Sequence, residues 1–259
     1  MNQIQILNVS CPDVQQKNDM SELAAICRQH DRISLSCPLA PEDEAQHLLL
    51  YGTNEGQHCL LSTLSMLRYD DETVECTAFT HPDHRRQGYF SELLNRALEW
   101  VGDCDILFPV SGRCADTLAV LDSLEAELDS IELQMELDLA ENRARETETD
   151  FSLTESCPDL KHDTTKWLLY QNLSEQKLLG SCQTSVISES SVCLHHVEIL
   201  PALRGRGYGT VLMKRLITAL QNQGFSRIIL QVSGDNDAAL ALYKKQGFRI
   251  TETLSFYLY

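Results

Sequence analysis

The sequence predicts an α/β protein made of two copies of one unit, each a mixed sheet flanked by helices. Three observations carry this. Short apolar or alternating runs of strand length take turns with stretches whose apolar residues recur at helical spacing. Two of the strand-to-helix junctions, at 81–90 and 199–210, are rich in glycine and arginine. The two junctions also superpose at one constant offset of 119 residues. Pro82 falls on Pro201, Arg85 on Arg204, Gly88 on Gly207, Tyr89 on Tyr208 and Arg96 on Arg215. Self-similarity at one fixed shift implies duplication rather than a single mixed domain.

In chain order, Ile4, Ile6 and Val9 suggest an opening strand. A helix is expected from Asp19 through Leu23, Ala24, Ile26 and Cys27. A second helix is expected to open at Pro41-Glu-Asp-Glu44, with acids in its first turn, and to run toward Leu48–Leu50. Strands follow at 59–67 and 74–80 around a turn at 70–72. The first junction then leads into a helix carrying Leu93, Leu94, Ala97, Leu98 and Val101. A strand at 104–110, a helix at 115–124 and an alternating strand at 130–139 complete the first copy.

The span 141–150 is charged and lacks apolar periodicity, so the domain boundary is placed there, giving domains 1–145 and 146–259. In the second copy, strands are read at 166–172, 178–188 and 192–200. A helix with Val211, Leu212, Leu216, Ile217 and Leu220 ends near Gly224, a C-cap residue. A strand at 227–232, a helix at 237–246 closed by Gly247, and a last strand at 250–259 follow. This copy is shorter before its central hairpin, so the opening strand and two helices are expected to be missing.

Charge is lopsided. Residues 1–145 hold 10 Lys+Arg and 26 Asp+Glu, a net of −16, whereas 146–259 hold 11 and 12, a net of −1, which together give the −17 of the chain. An acidic face argues against nucleic acid, whose backbone demands cations. It permits a cationic substrate. The ten cysteines are scattered, with no Cys-x-x-Cys pair and no zinc spacing, so no metal is expected. They read as reduced, mostly buried thiols of a cytoplasmic protein. No apolar run approaches the roughly 20 residues of a membrane helix. The expected state is a monomer or homodimer.

The junction Ile199-Leu-Pro-Ala-Leu-Arg-Gly-Arg-Gly-Tyr-Gly-Thr210 is the most informative stretch. A glycine-rich turn at a helix start exposes several N–H groups on one side, and the helix dipole adds positive potential, which suits a phosphate or pyrophosphate. It is not a P-loop, because no Lys-Ser/Thr follows, and it is not the Gly-x-Gly-x-x-Gly dinucleotide fingerprint. It does match Arg/Gln-x-x-Gly-x-Gly/Ala, as Arg204-Gly-Arg-Gly207-Tyr-Gly209, and in this it resembles the acetyl-CoA loop of the GNAT family of N-acetyltransferases. The resemblance implies two tandem GNAT domains, the second shortened at its N-terminus, with acetyl-CoA as co-substrate. Arg204, Gly205, Arg206, Gly207, Tyr208, Gly209 and Thr210 are the expected cofactor loop.

A second run, Asn236-Asp-Ala-Ala239-Leu-Ala-Leu-Tyr243-Lys-Lys-Gln-Gly247-Phe248, puts Asn236, Ala239 and Tyr243 on one helix face. It resembles the C-terminal GNAT motif, whose helix flanks the CoA thiol and whose Tyr protonates the leaving thiolate. A phenol with a reference pKa near about 10 is protonated at neutral pH and can act as a general acid. The resemblance further implies that Val197, Glu198 and Ile199 lie on a strand that splays from its neighbour. The backbone of that strand pairs with the pantetheine arm and donates to the oxyanion. A base must take the amine's proton. Glu198 is the carboxylate nearest the loop, and His195 and His196 are close on opposite strand faces.

The first copy departs from this pattern. Its loop, Arg85-Arg86-Gln87-Gly88-Tyr89-Phe90, ends in Phe rather than Gly or Ala, and its helix 115–124 offers no Tyr. It is a candidate second acyl-CoA site without a general acid. The expected activity is acetyl transfer to a primary amine of a small molecule or peptide by direct attack, carried by the second copy. The competing readings are a non-catalytic acyl-CoA sensor and catalysis in the first copy.

Overall fold

The computed structural model describes residues 4–40, 44–54, 57–68, 70–112, 114–141, 150–159, 164–172 and 176–259. The chain forms two compact units, Met1–Ser130 with Leu254–Tyr259, and Ile131–Thr253.

The first unit contains β1 (Gln5–Val9), α1 (Val14–Asp31), β2 (Gln46–Asn54), β3 (Gln57–Arg68), β4 (Thr73–Thr80), α2 (Tyr89–Val101), β5 (Asp105–Ser111) and α3 (Ala115–Ser123). Its strands run in the order β1-β2-β3-β4-β5, antiparallel except for the parallel pair β4–β5. Helix α1 starts earlier than Asp19. Asp13 accepts from the Gln16 N–H at 2.8 Å while the Gln16 side chain accepts from the Asp13 N–H at 2.9 Å, a reciprocal cap.

The helix expected from Pro41 toward Leu48–Leu50 is corrected: among the described residues no helix runs there. Residues 41–43 lie outside the described residues, and Leu48–Leu50 belong to β2. The reason is burial on both sheet faces. Leu48 and Leu50 pack with Leu93, Leu94, Ala97 and Val101 of α2, whereas Leu49 and Tyr51 pack with Met20, Leu23, Ala24 and Cys27 of α1. A strand covered on both sides is apolar at every position, and that run is not distinguishable from a buried helix by periodicity.

The second unit holds most of β6 (Glu127–Asp138), then β7 (Phe151–Asp159), β8 (Thr164–Gln171), β9 (Lys177–Ser188), β10 (Ser191–Ile199), α4 (Tyr208–Asn222), β11 (Arg227–Ser233), α5 (Asp237–Gln246) and the start of β12 (Arg249–Leu258). The order is β12-β6-β11-β10-β9-β8-β7, with β10–β11 parallel. One face is a core of Leu212, Met213, Leu216, Ile217 and Leu220 of α4 with Leu240 and Tyr243 of α5, set on Trp167, Leu169, Leu179 and Leu194. Full burial of each such side chain contributes about 1.5–3 kcal/mol. The expected loss of an opening strand is corrected, because β7 is present and pairs antiparallel with β8. Among the described residues no helix precedes β10 in this unit.

The last strands are exchanged between the two halves of the sequence. β6 follows α3, yet its residues Glu132–Asp138 pair with β11. β12 follows α5, yet Leu254–Leu258 pair with Ser111–Leu107 of β5. The compact units divide at Ser130 and Thr253, and residues 142–149 of the charged span lie outside the described residues.

Candidate functional site

In the second unit, β10 and β11 are paired only from Ser191↔Arg227 to Leu194↔Leu230. Beyond that point β10 leaves its neighbour. A bulge sits there: His195 lies opposite Gln183 and Glu198 opposite Ser181, so β10 carries one residue more than β9. His196 takes up the distortion with a φ of 52°, rare for a residue with a Cβ. Gly180 makes the close approach feasible, since a Cβ there would lie 2.4 Å from the Glu198 carbonyl oxygen. Val197, Glu198 and Ile199 lie on the stretch of β10 that has parted from β11.

The loop follows directly. Pro201–Leu203 make a single 3₁₀ turn. Gly205 and Gly207 take φ of 73° and 84°, and Gly207 is the N-cap of α4. A helix start leaves its first N–H groups without intrahelical partners, so Tyr208 and Gly209 present donors toward the turn. Gly209 is small for another reason. A Cβ added there would meet Leu242 at 3.3 Å, so α5 packs against the first turn of α4. Arg204 donates its Nε proton to the Ile199 carbonyl at 3.1 Å and extends its guanidinium to within 3.9 Å of the Glu198 carboxylate. Both side chains are about three-fifths exposed, at 62% and 61%.

Next to Leu242 is Tyr243, buried in α5 with its ring 5.6 Å from that of Phe248. Burial, with the nearby Cys182 thiol, pushes its pKa up to about 12, so the phenol carries its proton at neutral pH. Asn236 caps α5 by accepting from the Ala239 N–H at 3.1 Å, which fixes where Tyr243 sits. Ala239 packs against the core beneath it.

The bulge joins two imidazoles. His195 Nε2 lies 2.8 Å from Ser185 Oγ, and His195 Nδ1 lies 2.9 Å from His196 Nδ1. Burial, followed by the His196 charge, holds His195 below the ordinary histidine range. Ser185, itself 3.0 Å from Thr164, went unnoticed in the sequence. Only the His-His doublet in a strand hinted at this cluster.

The first unit repeats the loop geometry. β4 and β5 are paired from Thr73 to Glu75 and then part. Pro82–His84 form the 3₁₀ turn, and Gly88 caps α2 with a φ of 82°. Arg86, at the place of Gly205, adopts a φ of 59°. The surroundings differ. β4 pairs with β3 without a bulge. Arg85 donates to the Thr80 carbonyl at 3.2 Å, as Arg204 does to Ile199, but its guanidinium is also held by Asp31 at 2.5 and 2.9 Å and by Asp116 at 3.1 Å. Counting from the N-caps Cys114 and Asn236, the place of Tyr243 is taken by Leu121, which is buried.

The second unit thus sets a parting parallel strand pair beside a helix start capped by Gly207, with the buried, protonated Tyr243 on the helix that packs against it. A model of the Acetyltransferase (GNAT) family matches residues 131–248, which lie in the second unit. Mycothiol acetyltransferase of Corynebacterium efficiens is 39% identical over 59 residues, covering 23% of this chain and 20% of that protein. The [ribosomal protein bS18]-alanine N-acetyltransferase of Escherichia coli is 29% identical over 83 residues, covering 32% of this chain and 55% of that protein. The chain thus spans about a fifth to a half of the length of these curated relatives. A solved tandem GNAT protein from the clavulanic acid biosynthesis pathway shares the fold, with a TM-score of 0.69 at 13% identity, covering 99% of this chain and 98% of that one. Among the described residues, no helix is long and apolar enough to cross a membrane.

Proposed function

We propose that the chain is a GNAT-type N-acetyltransferase that moves the acetyl group of acetyl-CoA to a primary amine, with its chemistry in the second unit. The parting of β10 from β11 beside the loop and beside Tyr243 carries the reading. The N–H groups at the start of α4, with Arg204, Gly205, Arg206, Gly207, Tyr208, Gly209 and Thr210, hold the pyrophosphate. The edge at Val197–Ile199 pairs with the pantetheine arm, and a backbone N–H on it receives the oxyanion. A neutral amine attacks the thioester carbon. The tetrahedral intermediate collapses with loss of the CoA sulfur, and Tyr243 gives that sulfur its proton. Holding the two reactants in line contributes the largest share, about 7–11 kcal/mol.

Glu198 takes the amine's proton. A second reading gives this task to His195 and His196, favoured by their 2.9 Å contact, because one of the two nitrogens must be unprotonated to accept the other's hydrogen. No metal enters this chemistry. The acceptor is the amine of a small molecule or a peptide, in keeping with the named relatives, and the acidic balance of the first 145 residues accommodates a cationic one. The buried thiols Cys27, Cys76 and Cys182 fit a reducing, cytoplasmic setting.

The test is release of free CoA thiol from acetyl-CoA across polyamines, amino acids, aminoglycosides and short peptides with free N-termini. Turnover that depends on Tyr243 supports the reading. Binding of acetyl-CoA with no turnover on any amine, and no effect of Tyr243→Phe, makes the protein an acyl-CoA sensor instead.

A further inference from the structure

The first unit contains a cavity of about 380 Å³ that its counterpart loop does not explain. It is lined by residues 78–80 and 108–111, where β4 and β5 have parted. Phe79 and Cys27 line it from the α1 side, and Ala78, Phe108, Val110 and Leu121 from the side of α2 and α3. Two substitutions relative to the second unit account for the space. Phe90 stands at the step of Gly209, where an added Cβ would already meet Leu242 of α5 at 3.3 Å, so a ring there does not fit a helix packed as α5 is. The Phe90 ring lies instead 6.4 Å from the ring of Phe108. Leu121 replaces the phenol of Tyr243, so α3 presents no phenol at that step.

The rim decides the ligand. Both loop arginines already carry carboxylates: Asp31 and Asp116 on Arg85, and Asp116 again on Arg86 at 3.2 Å. Two guanidiniums and two carboxylates leave no net charge. Arg85 is only 17% exposed, against 62% for Arg204. A phosphate arriving at this loop would have to displace Asp116 or sit beside its negative charge. An uncharged molecule meets no such cost and gains from leaving water for the aromatic and aliphatic wall.

We propose that the cavity of the first unit binds an uncharged, apolar small molecule, alkyl or aromatic, and not a CoA thioester. This site is independent of the acetyl transfer assigned to the second unit.

The experiment uses the full chain carrying Gly207→Glu, so that the second loop is silent, and the neutral fluorescent probe N-phenyl-1-naphthylamine. The expected result is saturable binding at one site, displaced by 1-decanol and not by acetyl-CoA or inorganic pyrophosphate. Val120→Trp on α3 and Ala78→Phe on β4, which fill the cavity from two sides, each weaken the probe at least tenfold in protein whose unfolding temperature stays within a few degrees of its parent. Displacement of the probe by acetyl-CoA would overturn the proposal and make this a second cofactor site. Lack of saturable binding, or unchanged affinity in both filled variants, overturns it as well. None of these readouts is turnover, so they stand whatever the activity assay gives.

Discussion

Arg85 and Arg204 stand at the same step of two loops with the same backbone path, and each donates from Nε to the carbonyl at the end of the strand before it. From there they diverge. Arg204 reaches into solvent with a single carboxylate at 3.9 Å, whereas Arg85 ties α1 and α3 together through Asp31 and Asp116. The strands diverge too: β10 is bulged at His196, and β4 runs straight. The comparison teaches that two loops share a backbone path through positive φ at equivalent steps, Gly88 with Gly207 and Arg86 with Gly205. Whether such a loop's arginine stays open to solvent is decided by side chains elsewhere in the unit, Asp31 and Asp116 in the first.

The comparison can be broken most severely at the N-cap glycines. Gly207→Glu combines a strained φ with a negative charge at the pyrophosphate, and is expected to lower kcat/KM for acetyl-CoA at least about a hundredfold, or about 2.7 kcal/mol. Gly88→Glu, at φ 82°, is expected to leave turnover within about twofold. The opposite result, measured by thiol release on both variants, would move catalysis to the first unit.

Tyr243→Phe keeps the ring contact with Phe248 and removes the acid. It is expected to lower kcat about a hundredfold with little change in KM. Leu121→Tyr in the first unit is expected to add no activity, because that loop's arginines are already occupied.

Replacing the proton acceptor sharpens the contrast between bulged and straight strands. Glu198→Gln is expected to reduce kcat/KM roughly tenfold to a hundredfold, and His195→Gln less than threefold. A larger loss for His195→Gln, in pH–rate profiles of both variants, assigns the base to the histidine pair.

The smallest effect concerns stability. Arg85→Leu leaves Asp31, which is 7% exposed, with its His30 contact but without its Arg85 partner, and is expected to cost roughly 2 kcal/mol, whereas Arg204→Leu should cost within about 0.5 kcal/mol. Burial would raise the Asp31 pKa, but hydrogen bonds from Arg85 and His30 outweigh it and leave it lowered. Hydrogen bonds from Arg85 and Arg86 lower that of Asp116. A carboxylate with a folded pKa below its unfolded value stabilises at neutral pH and loses that contribution as pH falls through about 3.9 and below. Thermal unfolding of the parent and Arg85→Leu should therefore differ at pH 7 and converge toward pH 3.

Much of this was legible in the sequence, for identifiable reasons. Gly88 and Gly207 are needed for positive φ, so the repeat at one offset survived as letters. Asn236 caps, and Tyr243 follows seven residues later, so that motif survived as spacing. Other features were not legible. Leu48–Leu50 looked helical because both faces of β2 are buried. Arg86 at φ 59° hides a glycine position behind a charged letter. The bulge at His196 depends on Gly180, sixteen residues earlier on a neighbouring strand. The pairing of Leu254–Leu258 with β5 connects residues too distant for any local pattern to report.

That pairing has a consequence during synthesis. When β5 leaves the ribosome, its outer edge has no partner until Leu254–Leu258 have been made, well over a hundred residues later. At typical elongation rates of about 5–20 residues per second, the edge waits on the order of ten seconds or more. A strand edge left open is a template for unwanted association. Over that interval the edge is open to unwanted pairing, and a chain cut before Leu254 would leave β5 without the strand that pairs with it.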